Sequence, residues 1–129
     1  MKTETVVSFY KKAELVCLIA FGLLLLYLLW VTFSSPFSRA NFDAEHWAEV
    51  VGKDDACTRG SMVNDLLKNR IQTGMQKEFL LAIMGKPDRD DGREVSYYLG
   101  FCQTFVDPDT LDFYFDAEGK LTKHEIINH

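Results

Sequence analysis

Residues 15–33 read LVCLIAFGLLLLYLLWVTF, nineteen positions without a charged side chain. As an α-helix such a run extends about 28 Å at 1.5 Å per residue, close to the hydrocarbon thickness of a bilayer. Inside lipid the backbone must satisfy its own hydrogen bonds, so one isolated span can only be helical. The run predicts a transmembrane helix over 15–33, with membrane lipid as its first partner. It divides the chain into a tail or helix start over 1–14, a linker over 34–41 and an outer domain over 42–129.

A signal-peptide core usually has about 7–15 apolar residues, and this run is longer. Ser38-Arg39-Ala40 does supply a small-x-small pattern for cleavage after Ala40, so a cleaved leader is the alternative to an uncleaved anchor. Lys2, Lys11 and Lys12 precede the run and Arg39 alone closely follows it. Basic residues favour the cytoplasmic side, which puts the N-terminus in the cytoplasm and residues 34–129 outside it. The expected location is the inner (cytoplasmic) membrane, single-pass, with an extracytoplasmic C-terminal domain.

Residues 41–129 carry ten Lys/Arg against seventeen Asp/Glu, a net of about −7. An acidic domain argues against nucleic acid as a partner. Three cysteines divide unevenly. Cys17 lies in the apolar run, whereas Cys57 and Cys102 lie in the outer domain. An oxidising compartment favours one intramolecular bridge between those two, with two free thiols as the alternative.

Along the outer domain, Asp43 can cap a short helix over 41–52, with Phe42 and Trp47 stapled across its first turn and Gly52 past its end. A second helix starts at Ser61, where Met62, Val63, Leu66 and Leu67 form a stripe. A third runs over 76–84, with Leu80, Ile83 and Met84 inward, and is stopped by Gly85 and Pro87. Residues 88–93 read as a charged loop. Val95, Tyr97 and Leu99 alternate with Ser96 and Tyr98, and Leu111, Phe113 and Phe115 alternate with Asp112 and Tyr114. Residues 116–119 suit a hairpin loop. The last strand, 121–127, places Leu121 and Ile126 on opposite parities, which predicts a bulge. Helices first and an antiparallel sheet after give an α+β two-layer plan.

The run from Arg59 through Met62, Val63, Asp65, Leu66 and Leu67 is followed by Gly74-Met75. Then come Leu80 to Met84, Gly85-Lys86-Pro87-Asp88, Tyr97-Tyr98-Leu99-Gly100 and Leu111 to Asp116 with Gly119-Lys120. Over about residues 56–127 this pattern resembles the BamE/SmpA/OmlA-like domain family of small bacterial envelope proteins. The resemblance implies helices packed on a three-stranded antiparallel sheet (BLIP-like) and a role in contacting other proteins or the cell wall. Two family features differ: Gln76 and Phe79 replace the usual Ser/Thr…Glu capping box, and the lipid-modified cysteine of outer-membrane members is absent.

No nucleophile elbow, phosphate loop or zinc-protease motif occurs. His46, His124 and His129 are scattered. Counted from Asp88, an EF-hand would need Gly at Arg93 and an acid at Leu99, so that pattern fails. Asp107, Asp109 and Asp112 read as a charged turn rather than a cation site. The sequence assigns no catalytic, cofactor or metal residue and points away from an enzyme. Tyr98, Phe101, Phe105 and Tyr114 exceed what the alternating core needs, and Tyr98, Phe101 and Tyr114 with the uncapped Phe79 are the candidate partner-binding residues. An outer sheet face bearing Tyr98 and Tyr114 would either meet a partner or lie beneath the Trp47 helix. The expected function is a membrane-anchored interaction module serving envelope assembly or maintenance, its partner another envelope or membrane protein. The alternative is an accessory single-span subunit of an integral-membrane complex.

Overall fold

A computed structural model of the chain describes residues 2–50 and 56–129. Two compact units emerge, Met1–Ser35 and Pro36–His129. The first is a single helix, α1, Lys2–Phe33. Residues 2–14 therefore begin this helix. Its stretch Tyr10–Phe33 has a mean hydropathy of 2.6, and by length and composition it is long and apolar enough to cross a membrane. A signal sequence near an N-terminus passes the same test. Over residues 15–33 its side chains are uncharged all round, and its apolar window has no residue buried inside the chain, the pattern of a helix that meets lipid or another apolar surface. Hydroxyls of Thr32 and Ser34 donate back to carbonyls of the preceding turn, Thr32 to Leu28 and Leu29 and Ser34 to Trp30. These local bonds satisfy them without a partner.

The second unit is α+β. A 3-10 turn, Pro36–Ser38, leads into α2 (Ala44–Glu49), α3 (Thr58–Ser61), α4 (Val63–Asn69) and α5 (Lys77–Met84), then β1 (Arg89–Asp90), β2 (Glu94–Gly100), β3 (Asp109–Phe115) and β4 (Leu121–Asn128). The strands form one antiparallel sheet in the order β1-β2-β3-β4. Four strands replace the expected three. The added strand β1 is two charged residues, Arg89 opposite Ser96 and Asp90 opposite Val95. It has no alternation to announce it, and Gly92, at φ +84°, makes the tight return into β2. The Lys77 ammonium bonds both the Asp90 carboxylate (2.6 Å) and the Gly92 carbonyl (2.9 Å), tying this turn to α5.

The expected linker over 34–41 is partly built into the second unit. Arg39 and Ala40 donate their N–H groups to the Ser61 carbonyl, and Phe37 and Phe42 pack on the core. The Asp43 cap is present, with the His46 N–H donating to its carboxylate at 2.7 Å. Phe42 and Trp47 meet at 5.7 Å between ring centres, as the staple requires. The remainder of the expected 41–52 helix, including Val51 and Gly52, falls outside the described residues beyond Val50.

The expected second helix is two. A short α3 begins at Thr58 rather than Ser61, entered from Cys57 at φ 60°, and α4 follows a break at Met62. Helix α5 lacks a side-chain cap, as Gln76 foretold. Its first turn is satisfied instead by the β3–β4 hairpin, where the Gly119 carbonyl accepts from the Lys77 N–H at 2.9 Å. Gly119 is at φ +76°, as that loop demands.

The core lies between the helices and one sheet face. Trp47, Met62, Val63, Leu66, Leu80 and Met84 pack on Val95, Tyr97, Leu99, Leu111, Phe113, Phe115 and Leu121. The expected bulge is at the start of β4. Tyr114 faces Lys123 and Phe115 faces Leu121, which leaves Thr122 as the extra residue. Because the bulge absorbs Thr122, Leu121 and Ile126 face the core together despite their opposite parities.

Candidate interaction surface

Three features hold the domain's sheet and helices in one arrangement. The first is the Cys57–Cys102 disulfide, with Cα atoms 4.9 Å apart and a sequence separation of 45. It joins the entry of α3 to the chain leaving β2. By the loop-entropy argument such a closure stabilises by about 3–4 kcal/mol. Gly60 packs directly against it: a Cβ built there would fall on the sulfurs of both cysteines.

The second is Arg59, which sequence reasoning did not single out. The residue is only 1 % exposed. Nε donates to the Trp47 carbonyl (2.8 Å), Nη1 donates to Asp88 Oδ2 (2.9 Å), and the group lies 5.0 Å from the centre of the Trp47 ring. Asp88 Oδ2 also accepts from the Tyr98 N–H at 2.8 Å. A buried guanidinium must be paired, and here the pair ties α2, α3 and β2 together. No local pattern announces it, because Asp88 lies 29 residues away.

The third is Asp109, fully buried. Its Oδ2 accepts from the N–H groups of Cys102 and Gln103 at 3.0 and 2.9 Å, and its Oδ1 accepts from the side chains of Gln103 and Asn128. This carboxylate folds residues 101–107 back on themselves. Phe101 starts that loop half-buried, while Phe105 and Val106 at its tip are 100 % and 81 % exposed.

The candidate partner-binding residues separate into three places. Tyr98 and Tyr114 lie on the sheet face opposite the core. Across the strands that face reads Glu94–Tyr114–Lys123, Ser96–Asp112–Glu125 and Tyr98–Thr110–Ile127. The Trp47 helix does not cover it, since Trp47 meets Tyr97 on the core side at 5.9 Å. The core cluster includes none of the outward residues. Both tyrosines are half-buried among their neighbours, and Lys123 Nζ sits 4.4 Å from the Tyr114 ring centre. Burial first, and then the carboxylates of Asp112, Glu94 and Glu125, push the Tyr114 phenol above its ordinary range. The face is therefore both aromatic and electronegative. Within it, Asp112 Oδ1 and Ser96 Oγ are buried with no hydrogen-bond partner among the described residues. Polar atoms in that state are costly and uncommon.

Phe79 stands elsewhere. It is 66 % exposed on α5 and borders a groove of about 510 Å³ with Met75, Ala82 and Ile83. Phe101 belongs to the loop after β2. The structure thus brings together two of the four candidates.

Among the described residues no group of three or more His, Cys, Asp or Glu is placed to hold a metal ion. Asp88 and Asp109, weighed as cation ligands in the sequence, spend their oxygens on Arg59 and on main-chain N–H groups. Comparison with family models, with curated proteins and with solved structures finds no match to this chain.

Proposed function

We propose that the chain is a non-enzymatic interaction module, held at the outer surface of the inner membrane by α1, with its second unit on the extracytoplasmic side. The reading follows the resemblance to BamE/SmpA-like, BLIP-like envelope domains. Its partner is another envelope or membrane protein, met through the face of Tyr98 and Tyr114 in the service of envelope assembly or maintenance.

The observation that carries this reading is the sheet face itself. It combines two tyrosines with a buried, unpaired carboxylate oxygen and lies outside the core. Tyrosine gives large contact area at low entropy cost and is enriched in protein interfaces. The orientation rests on the basic residues before α1. The disulfide is consistent with an oxidising compartment.

The test places a photo-crosslinking amino acid at Tyr114, at Phe79 and at Asn64 in the intact protein in living cells. A second version carries an unrelated apolar helix in place of residues 15–33. The proposal expects a discrete adduct from position 114 that survives the helix exchange. Loss of that adduct on exchange would instead favour the accessory-subunit reading, in which the span makes the main contact. An adduct from Phe79 alone would move the surface to the α5 groove and refute the sheet-face assignment.

A further inference from the structure

Strand β4 presents an open edge. On β3, the Phe115 N–H donates to the Arg93 carbonyl at 2.8 Å, so Leu111, Phe113 and Phe115 turn their main-chain groups toward β2. The intervening residues Thr110, Asp112 and Tyr114 turn theirs toward Ile127, Glu125 and Lys123 of β4. The main-chain groups of His124, Ile126 and Asn128 therefore point away from the sheet. Among the described residues no main-chain hydrogen bond takes them up.

The open stretch is limited at one end, where Leu121 is already bonded to Gly74 and Met75. The opposite sheet edge, β1, is only two charged residues long, a common form of edge protection. β4 has no such shield over 124–128.

Beside this edge lies a groove of about 810 Å³, lined by residues 38–41, by α4 and by His124. Its walls are fastened in place: Arg39 and Ala40 to Ser61, and the Phe42 N–H to Asp65 Oδ2. The charged side chains of the lining are Arg39, Lys68 and Asp65. Asp65 is already engaged, by Phe42 through one oxygen and by Asn69 Nδ2 at 2.6 Å through the other. Two cations against one carboxylate leave the groove with a net positive charge on a domain whose net charge is negative.

We propose that β4 accepts a fifth strand from another protein, an extended acidic segment. Its main chain pairs with His124, Ile126 and Asn128, and its carboxylates reach Arg39 and Lys68. Main-chain pairing supplies the affinity in such strand addition, and the side-chain groove supplies the choice of sequence. The two cations select acidic over basic segments. This surface is separate from the tyrosine face and stands without it.

The test uses the full chain in detergent micelles, labelled with ¹⁵N, and a capped nonapeptide of alternating threonine and glutamate. A matched peptide carries lysine for glutamate. The proposal expects shift changes and slowed exchange at the amides of His124, Ile126 and Asn128 with the acidic peptide only. His124→Pro removes one outward N–H without touching the β3 ladder and should abolish the response. Arg39→Ser with Lys68→Ser, which leaves the strand intact, should weaken binding roughly fivefold. Equal response to both peptides, no response at the edge, or changes confined to Tyr98 and Tyr114 would each overturn the proposal. Concentration-dependent protection of the edge without peptide would also overturn it, by making a second copy the occupant.

Discussion

Gly60 is one hydrogen atom away from being impossible at its position. Its Cα faces the Cys57–Cys102 bridge so closely that a methyl group would collide with both sulfurs. Backbone and disulfide must both shift to admit it, and overpacking of this kind costs about 1–3 kcal/mol. Gly60→Ala should therefore lower the thermal midpoint of the oxidised protein. In a Cys57→Ala/Cys102→Ala background the same change should be close to neutral, because the obstacle is gone. Calorimetry on the four proteins of this cycle measures the coupling; equal losses in both backgrounds would refute the contact as the cause. Arg59 and Asp109 teach a different lesson at this scale. Both are charged, both are buried, and neither is legible in the sequence. A charged residue reads as solvated until its partners are known, and here the partners come from Asp88, from Trp47 and from loop amides distant in the chain or supplied by a fold-back. The cysteine pair was legible because two cysteines outside the apolar run leave one intramolecular pairing.

At the scale of elements, legibility followed periodicity. Strands β2 and β3 keep strict alternation through Val95, Tyr97 and Leu99 and through Leu111, Phe113 and Phe115, and the structure buries all six. Strand β1 escaped because two residues cannot show a period. The α3–α4 break escaped because Met62 and Val63 are apolar on both sides of it. The tyrosine face was legible as a pair of outward residues, but Phe79 and Phe101 could not be assigned to a face before the helices were placed. The β1 turn also makes a prediction. The hydrogen bond from Lys77, and then that from the Gly92 N–H, hold the Asp90 carboxyl below its ordinary 3.8. A carboxyl depressed in the folded state stabilises above its unfolded value, and the contribution is lost as pH falls through the folded value. Asp90→Asn should therefore lower the urea midpoint at pH 7 and lower it less at about pH 3, below the ordinary carboxyl value, where protonation of the unfolded wild type begins to remove the contribution. A deficit of the same size at both pH values would show that the bond acts through geometry alone.

For the whole molecule, the two units Met1–Ser35 and Pro36–His129 have separate logics. The first owes its form to apolar composition, the second to a core closed by a disulfide and an internal ion pair. Residues 36–129, produced alone under oxidising conditions, should fold with the near-ultraviolet circular dichroism and the thermal midpoint of that unit in the intact protein. A broad, non-cooperative melt would show that α1 contributes to the second unit's stability.

One small irregularity bears on how this fold could vary. The last strand can be treated as a text with two alternating characters, inward and outward. Thr122 is a spare character in that text. Without it, Leu121, His124 and Ile126 would still fall inward and Lys123 and Glu125 outward, in unbroken alternation. What the extra residue adds is local coiling of the chain where β4 leaves the hairpin. A length difference of one residue between this domain and any other that shares its hairpin therefore has a natural place, at Thr122, where it leaves every core contact in register.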